Sequence, residues 1–447
     1  MRASADPNRA ERRGQLLALG FGISTAMWAL AYASRLAAPL VPPWLLFALL
    51  LVCLALGGWL GARASGRGLE LGAAAGALAS LLNLLILGSV IGGDVPGALR
   101  KGALLWVPAS VLLGILLAGA GAWVAARRSA ASRRPSAGLG ADGAFASVAA
   151  AATLLLLAAG GLVTSKEAGL AVVDWPNSYG FNMFLYPLAR MTGGVFYEHA
   201  HRLLGSLVGL CTLVLALHLQ FSRQRRALKT LAWLIVAAVL LQGLLGGLRV
   251  TGRFTLSQSA TDMAPSTWLA VLHGVFGQLC FALLLGLQAM ASGRWNSSLA
   301  AEPRPSAQSD RQLGPLLLGA LLVQLVLGAL LRHFAWGMVW HVSFAMLVAL
   351  LAVALGVRHW GLYGDLPWLR PLGRGLTLLV GLQLLLGTGA LIAVNATPAA
   401  GDIPWWEAML ATLHQLTGAL ILGTALLIAL WDRRLLAPAT PQGETDP

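Results

Sequence analysis

Twelve long apolar runs, separated by short polar or basic segments, organise the chain. They begin near Gly14, Trp44, Glu70, Gly102, Ser147, Ala200, Thr230, Trp268, Gly314, Gly337, Gly375 and Glu407. Each approaches the ~20 mostly apolar residues that a helix needs to cross a bilayer. Backbone in lipid must satisfy its own hydrogen bonds, so such runs are helices. The pattern predicts an all-α polytopic membrane protein with about 12 transmembrane helices.

Composition agrees with that reading. The 447 residues are 57% hydrophobic and 11% charged, with a mean hydropathy of +0.75. A soluble domain carries roughly 25% charged residues, so a soluble globular protein and a disordered chain are both excluded. The net charge of +14 does not point to nucleic acid. The basic residues punctuate the apolar runs instead of forming a stripe, and the expected partner is the lipid bilayer. Most of them fall in alternate connections, including Arg63 and Arg67, Arg223 to Lys229, Arg358 to Arg374, and Arg433 with Arg434. This bias predicts that both termini are cytoplasmic. The first run, about 18 residues long behind a basic segment, reads as a retained anchor because it exceeds a usual signal-peptide core.

Two polar stretches divide the chain. Residues 1–128 form a four-helix N-terminal extension, 129–146 a cytoplasmic linker, and 147–291 a four-helix half. Residues 292–313 form a second linker, 314–432 another four-helix half, and 433–447 a cytoplasmic tail. The three cysteines, Cys53, Cys211 and Cys280, lie singly inside apolar runs, which speaks against a disulfide framework or a zinc site.

The histidines carry the chemistry. All eight lie after residue 198, and four of them repeat. His201 and His273 are 72 residues apart; His341 and His414 are 73 apart. Gln242-Gly-Leu-Leu-Gly246 parallels Gln383-Leu-Leu-Leu-Gly387 at an offset of 141. The last eight helices therefore read as two pseudo-repeated four-helix bundles. Each pair of histidines lies on helices that enter from the same, outer side. Facing helices can aim two imidazoles at one heme iron, so two bis-His heme sites toward the outer side are expected. His218 and His359 lie about 25 Å deeper at 1.5 Å per residue and read as interfacial, with His333 in an outer turn. His199 points away from His201 on the same helix.

Glu198-His-Ala-His201-Arg202 places a carboxylate one turn from a candidate ligand, on one helix face. An acid at the membrane edge is costly unless used, and it can take a proton from a reacting group or steady a developing cation. The corresponding stretch of the second half is Met338-Val-Trp-His341, without the acid. From Gly160 to His201 is 41 residues, against 13 from Gly328 to His341. The difference is an outer loop containing Asp174-Trp175-Pro176. Trp175, Trp268, Trp336, Trp340, Trp405 and Trp406 read as an interfacial belt.

Glu198-x-x-His201-Arg202 resembles the signature of the heme A synthase family. Leu162 to Pro176 resembles that family's first outer loop, and Gln242-Gly-x-x-Gly246-Gly-Leu-Arg249 its third helix. The resemblance spans about residues 147–432. It implies conversion of heme O to heme A, by oxidation of a ring methyl to a formyl through successive hydroxylations. By position, His201 and His273 would hold the substrate heme O, and Glu198 would be the catalytic acid. His341 and His414 would hold a heme b cofactor. Arg202, Arg249 and Arg332 are candidate propionate partners. The implied partners are O2 or water-derived oxygen, an electron donor the sequence does not identify, heme O synthase and terminal oxidase assembly factors. The implied location is a bacterial-type plasma membrane. Two features depart from the family pattern: the loop from Lys166 to Tyr197 has no cysteine pair, and the N-terminal extension is additional.

Two other readings stand beside this one. A diheme cytochrome b-type electron carrier or quinol-linked oxidoreductase would use the same four histidines without Glu198. A 12-helix transporter would suit the helix number, but its repeats would span the whole chain.

Overall fold

The computed structural model describes residues 7–36, 41–65, 68–128, 138–251, 267–297, 300–366, 368–396 and 402–438. Arg2, residues 129–137 of the first linker with Arg133 and Arg134, and the tail beyond 438 lie outside the described residues.

Twelve α-helices are described: α1 Pro7–Leu36, α2 Pro43–Ser65, α3 Leu69–Ile91, α4 Ala103–Arg128, α5 Gly140–Ser165, α6 Gly193–Gln220, α7 Arg226–Thr251, α8 Thr267–Ala291, α9 Ala307–Phe334, α10 Met338–Leu362, α11 Leu369–Ala396 and α12 Trp405–Leu435. Among the described residues, eleven are long and apolar enough to cross a membrane. The protein is an all-α polytopic integral membrane protein. Several helices begin before their apolar runs: α1, α5, α6 and α9 each start seven residues early. A hydrophobic run stops where polar side chains enter, whereas the helical hydrogen-bond ladder continues through them. As a result His201 and His414 lie in the third turns of α6 and α12, His273 in the second turn of α8, and His341 in the first turn of α10.

The chain clusters into two compact units, Met1–Pro265 with Leu287–Arg294, and Ser266–Gly286 with Trp295–Pro447. In the first unit α1 packs on α2, α3, α5 and α6, while α2 and α3 pack on α4. Small residues permit this closeness. A Cβ on Gly58 would lie 1.9 Å from the Ala118 carbonyl oxygen, and one on Gly121 would lie 1.9 Å from that of Ala55. Without a hydrophobic drive between helices in lipid, such backbone approach supplies the packing energy.

In the second unit, Ala282, Leu317, Ala352, Leu355, Leu376 and Ala425 contribute to a continuous buried core. Short strands β1 Glu302–Arg304 and β2 Leu436–Pro438 pair in parallel and tie the second linker to the end of α12. The α9–α10 connection is a tight turn with Ala335 at φ 53° and Gly337 at φ 85°. The left-handed conformation at Gly337 costs a residue with a Cβ more than it costs glycine. The equivalent connection between α5 and α6 is instead a folded loop, Lys166 to Thr192, with two short 3-10 turns at Met183–Leu185 and Leu188–Arg190.

Candidate active site

Three of the four repeat histidines sit in the same local setting, a helix glycine facing the imidazole. A Cβ on Gly160 would lie 2.9 Å from His201 Cε1, one on Gly328 3.0 Å from His341 Cε1, and one on Gly387 2.8 Å from His414 Cε1. At His414 the backbone one turn before the glycine also meets the ring, with Nδ1 3.2 Å from the Gln383 carbonyl oxygen. In all three places the glycine admits the ring. At His414 a carbonyl that accepts from Nδ1 makes Nε2 the acceptor nitrogen, the one that could ligate in place of its contact with Gln383 Nε2.

His341 and His414 face each other with ring centroids 6.4 Å apart. An imidazole nitrogen sits about 2.0 Å from a metal it binds, and the ring centroid about 1 Å beyond, so two ligands on one metal have centroids roughly 6 Å apart. The spacing fits a metal shared between them. Gln324 Nε2 lies 3.1 Å from His341 Nδ1 and donates to the His341 carbonyl at 3.0 Å, and Gln383 Nε2 lies 3.3 Å from His414 Nε2. Both glutamine Oε1 atoms are buried without a partner among the described residues. Partly satisfied polar groups in an apolar interior and two convergent imidazoles suit a large prosthetic group such as heme. No cluster of three or more His, Cys, Asp or Glu among the described residues is placed to hold a bare metal ion.

The first half adds what the second lacks. Glu198 is 4% exposed. Its Oε1 accepts from Arg202 Nη2 at 2.7 Å, and its Oε2 accepts from the Val172 amide at 2.8 Å. Arg202 also donates to the carbonyls of Val172, Asp174 and Asn177 at 2.8, 2.7 and 2.9 Å. A buried ion pair needs such extra hydrogen bonds to offset desolvation. Here they come from the backbone of the Lys166–Thr192 loop, which is thereby held against α6.

The loop is shaped by its own residues. Asp174 accepts from the amides of Tyr179 and Gly180 at 2.6 and 2.8 Å, so its carboxylate closes the turn between them. The Tyr179 hydroxyl donates to the Ala171 carbonyl. The Trp175–Pro176 peptide is cis, and the Trp175 ring lies on Gly247 of α7, where a Cβ would come within 2.4 Å. His199 hydrogen-bonds Ser178 at 3.0 Å and packs on Tyr186 with centroids 4.9 Å apart, so it anchors the loop.

The remaining residues singled out in the sequence are placed as follows. His273 is half-buried on α8 in the second unit, whereas His201 belongs to the first. Arg249, at the end of α7, presses on Gly169 of the loop. Its Nε is buried without a hydrogen-bond partner among the described residues. Arg332 is exposed, in the last turn of α9 with His333. Trp268, Trp336, Trp340, Trp405 and Trp406 are all exposed at helix ends, as a belt requires.

His218 and His359, in the last turns of α6 and α10, are both buried. His218 Nε2 lies 2.7 Å from Asp142 Oδ1, and its Nδ1 accepts from Arg13 at 3.0 Å. His359 Nε2 lies 2.8 Å from Asp432 Oδ1. An aspartate from a neighbouring helix supplies each partner, which a reading of single helices could not show. Gln324 was also not anticipated. The available signal was its spacing: it lies four residues before Gly328, as Gln383 lies four before Gly387.

Residues 143–340 match the family model COX15-CtaA, described as cytochrome oxidase assembly protein. The match covers a little under half of the chain. It includes Glu198, His201 and His273, and ends one residue before His341. No curated protein matches the chain.

Proposed function

We propose that this protein is a heme A synthase, oxidising a ring methyl of heme O to a formyl group by successive hydroxylations. The observation that carries the proposal is an asymmetry. His201 and His341 each face a glycine of the preceding helix, but only His201 has a buried carboxylate, Glu198, on its own helix face and a folded loop held to that carboxylate. The match of residues 143–340 to cytochrome oxidase assembly proteins supports the same reading.

In this proposal His201 and His273 hold heme O, the pairing resting on the repeat and the resemblance. His341 and His414 hold heme b, which when bound supplies one-electron transfer. Glu198 takes up protons released as the methyl carbon is oxidised, or steadies positive charge at the porphyrin edge. Arg202 holds Glu198 and the loop, and its terminal nitrogens are committed to that task. Arg249, with a donor left over, is the better propionate partner in the first half, and Arg332 is its candidate in the second. The loop and Trp175 keep water from the reacting edge. The protein belongs in a bacterial-type plasma membrane, termini cytoplasmic and heme sites outward, receiving heme O from heme O synthase and supplying terminal oxidase assembly.

The test is to express the protein with a heme O synthase in a host that makes no heme A, then chromatograph the extracted hemes. Heme A, or its hydroxymethyl precursor, is the expected product. Heme b bound with heme O unconverted, under conditions where an established heme A synthase works, would favour the diheme electron carrier.

A further inference from the structure

The four-helix extension contains no histidine, and the candidate chemistry gives it no task. Its contacts do. Arg35, at the end of α1, donates from Nη2 to the Met191 carbonyl at 2.6 Å, and its guanidinium lies 5.4 Å from the Phe196 ring centroid. One turn earlier, Tyr32 stacks on the same ring at 5.4 Å. Gly88 of α3 and Gly92, the residue that caps its end, seat the 3-10 turn Met183–Leu185. A Cβ on Gly88 would fall 2.2 Å from the Phe184 carbonyl oxygen, and one on Gly92 2.2 Å from that of Leu185. After α3, the Asp94 carbonyl accepts from Arg190 at 3.0 Å.

These attachments come from α1, α3 and the connection after α3, and all land on residues 183–196. Glu198 and Arg202 hold another part of the loop, Val172 to Asn177. No cysteine lies between Lys166 and Tyr197, so no disulfide can do this work. The far end of α1 is also fixed, because Arg13 donates to the His218 ring and carbonyl at 3.0 and 3.1 Å. A helix pinned at one end and gripping a loop at the other acts as a rigid support.

We propose that the N-terminal extension is an internal splint: it holds the Met183–Phe196 segment in place, and through it the loop backbone that Glu198 and Arg202 bind. Arg35, Gly88 and Gly92 are positioning residues. The consequence for catalysis rests on the heme A synthase reading; the holding of the loop does not.

The test is amide hydrogen exchange of residues 183–196 in the purified full chain, for wild type, Arg35→Ala, Arg35→Lys and Gly88→Leu. Losing a charged hydrogen bond or forcing the glycine seat open should raise exchange of this segment about tenfold. Arg35→Lys, which keeps one donor, should fall between. The heme b spectrum, expected from His341 and His414, should be unchanged in all four proteins. Conversion of heme O should fall with the loss of protection. Unchanged exchange in both Arg35→Ala and Gly88→Leu would overturn the splint, whatever the site converts. If Gly88→Leu does not fold, the two Arg35 variants decide alone. Raised exchange with unaltered conversion would leave the splint standing and count against a role for the loop in catalysis.

Discussion

The His201 and His341 helices differ in what surrounds a shared core. Each presents its imidazole to a glycine of the preceding helix. At His341 the approach is short: α9 turns through Ala335 and Gly337 directly into α10. At His201 the same position is overlaid by the Lys166–Thr192 loop, fastened by the Glu198–Arg202 pair, whose side chains are 5% and 8% exposed. In the proposed reading the repeated scaffold holds a heme in each half, and the inserted loop with Glu198 distinguishes the half that acts on its heme from the half that only holds one.

The comparison can be broken most severely at the shared core. Replacing His341 or His414 by alanine removes one of two facing ligands. The low-spin heme b band in the reduced-minus-oxidised spectrum should disappear in either variant, and its persistence would mean that the 6.4 Å pair is not the cofactor site. Next comes the acid. Glu198→Gln keeps an acceptor for the Val172 amide but cannot take up a proton, so heme O conversion should drop by about 10²–10⁴-fold with heme b intact. Glu198→Ala should lose protection of the loop amides as well, which separates the carboxylate's chemical role from its mechanical one.

A smaller effect is expected from the glycines. Gly387→Leu puts a side chain where His414 now lies, and mis-orienting a ligand typically costs 10–100-fold in affinity. Titration of the heme-depleted protein with heme b would measure it, and unchanged affinity would show that the glycine only permits packing. The mildest change is Arg202→Lys. Lysine keeps the charge but lacks the planar fork that reaches Glu198 and three loop carbonyls. Loop amide exchange should rise several-fold and conversion fall less than in Glu198→Gln. Equal exchange in wild type and variant would place the loop's attachment elsewhere.

The fold was largely open to sequence reading because lipid imposes one solution on each apolar run. The helix starts were misjudged where polar residues such as Asp142, Glu198 and Asp310 sit inside the helix but outside the hydrophobic window. The facing of His341 and His414 was visible through their spacing. What a single chain could not display was partnership across helices. Asp142 with His218, Asp432 with His359, and Arg358 with Asp310 bring together residues 76, 73 and 48 positions apart. Each alone reads as an isolated polar residue near a helix end. The glycine seats were present as letters, and Gly160 and Gly328 already marked equivalent positions. Their purpose emerges only once the facing imidazole is placed. The extension illustrates the same limit. Gly88 and Gly92 look like ordinary small residues for helix packing until the Phe184 and Leu185 carbonyls are found above them.

The central claim is that one half converts heme and the other holds it. The most direct measurement is the ratio of heme A to heme b extracted from purified wild type and Glu198→Gln, both produced alongside heme O synthase. The account predicts heme b at wild-type occupancy in both proteins, with heme A almost absent from the variant. Heme A at the wild-type level in Glu198→Gln, or a parallel loss of heme b, would contradict it.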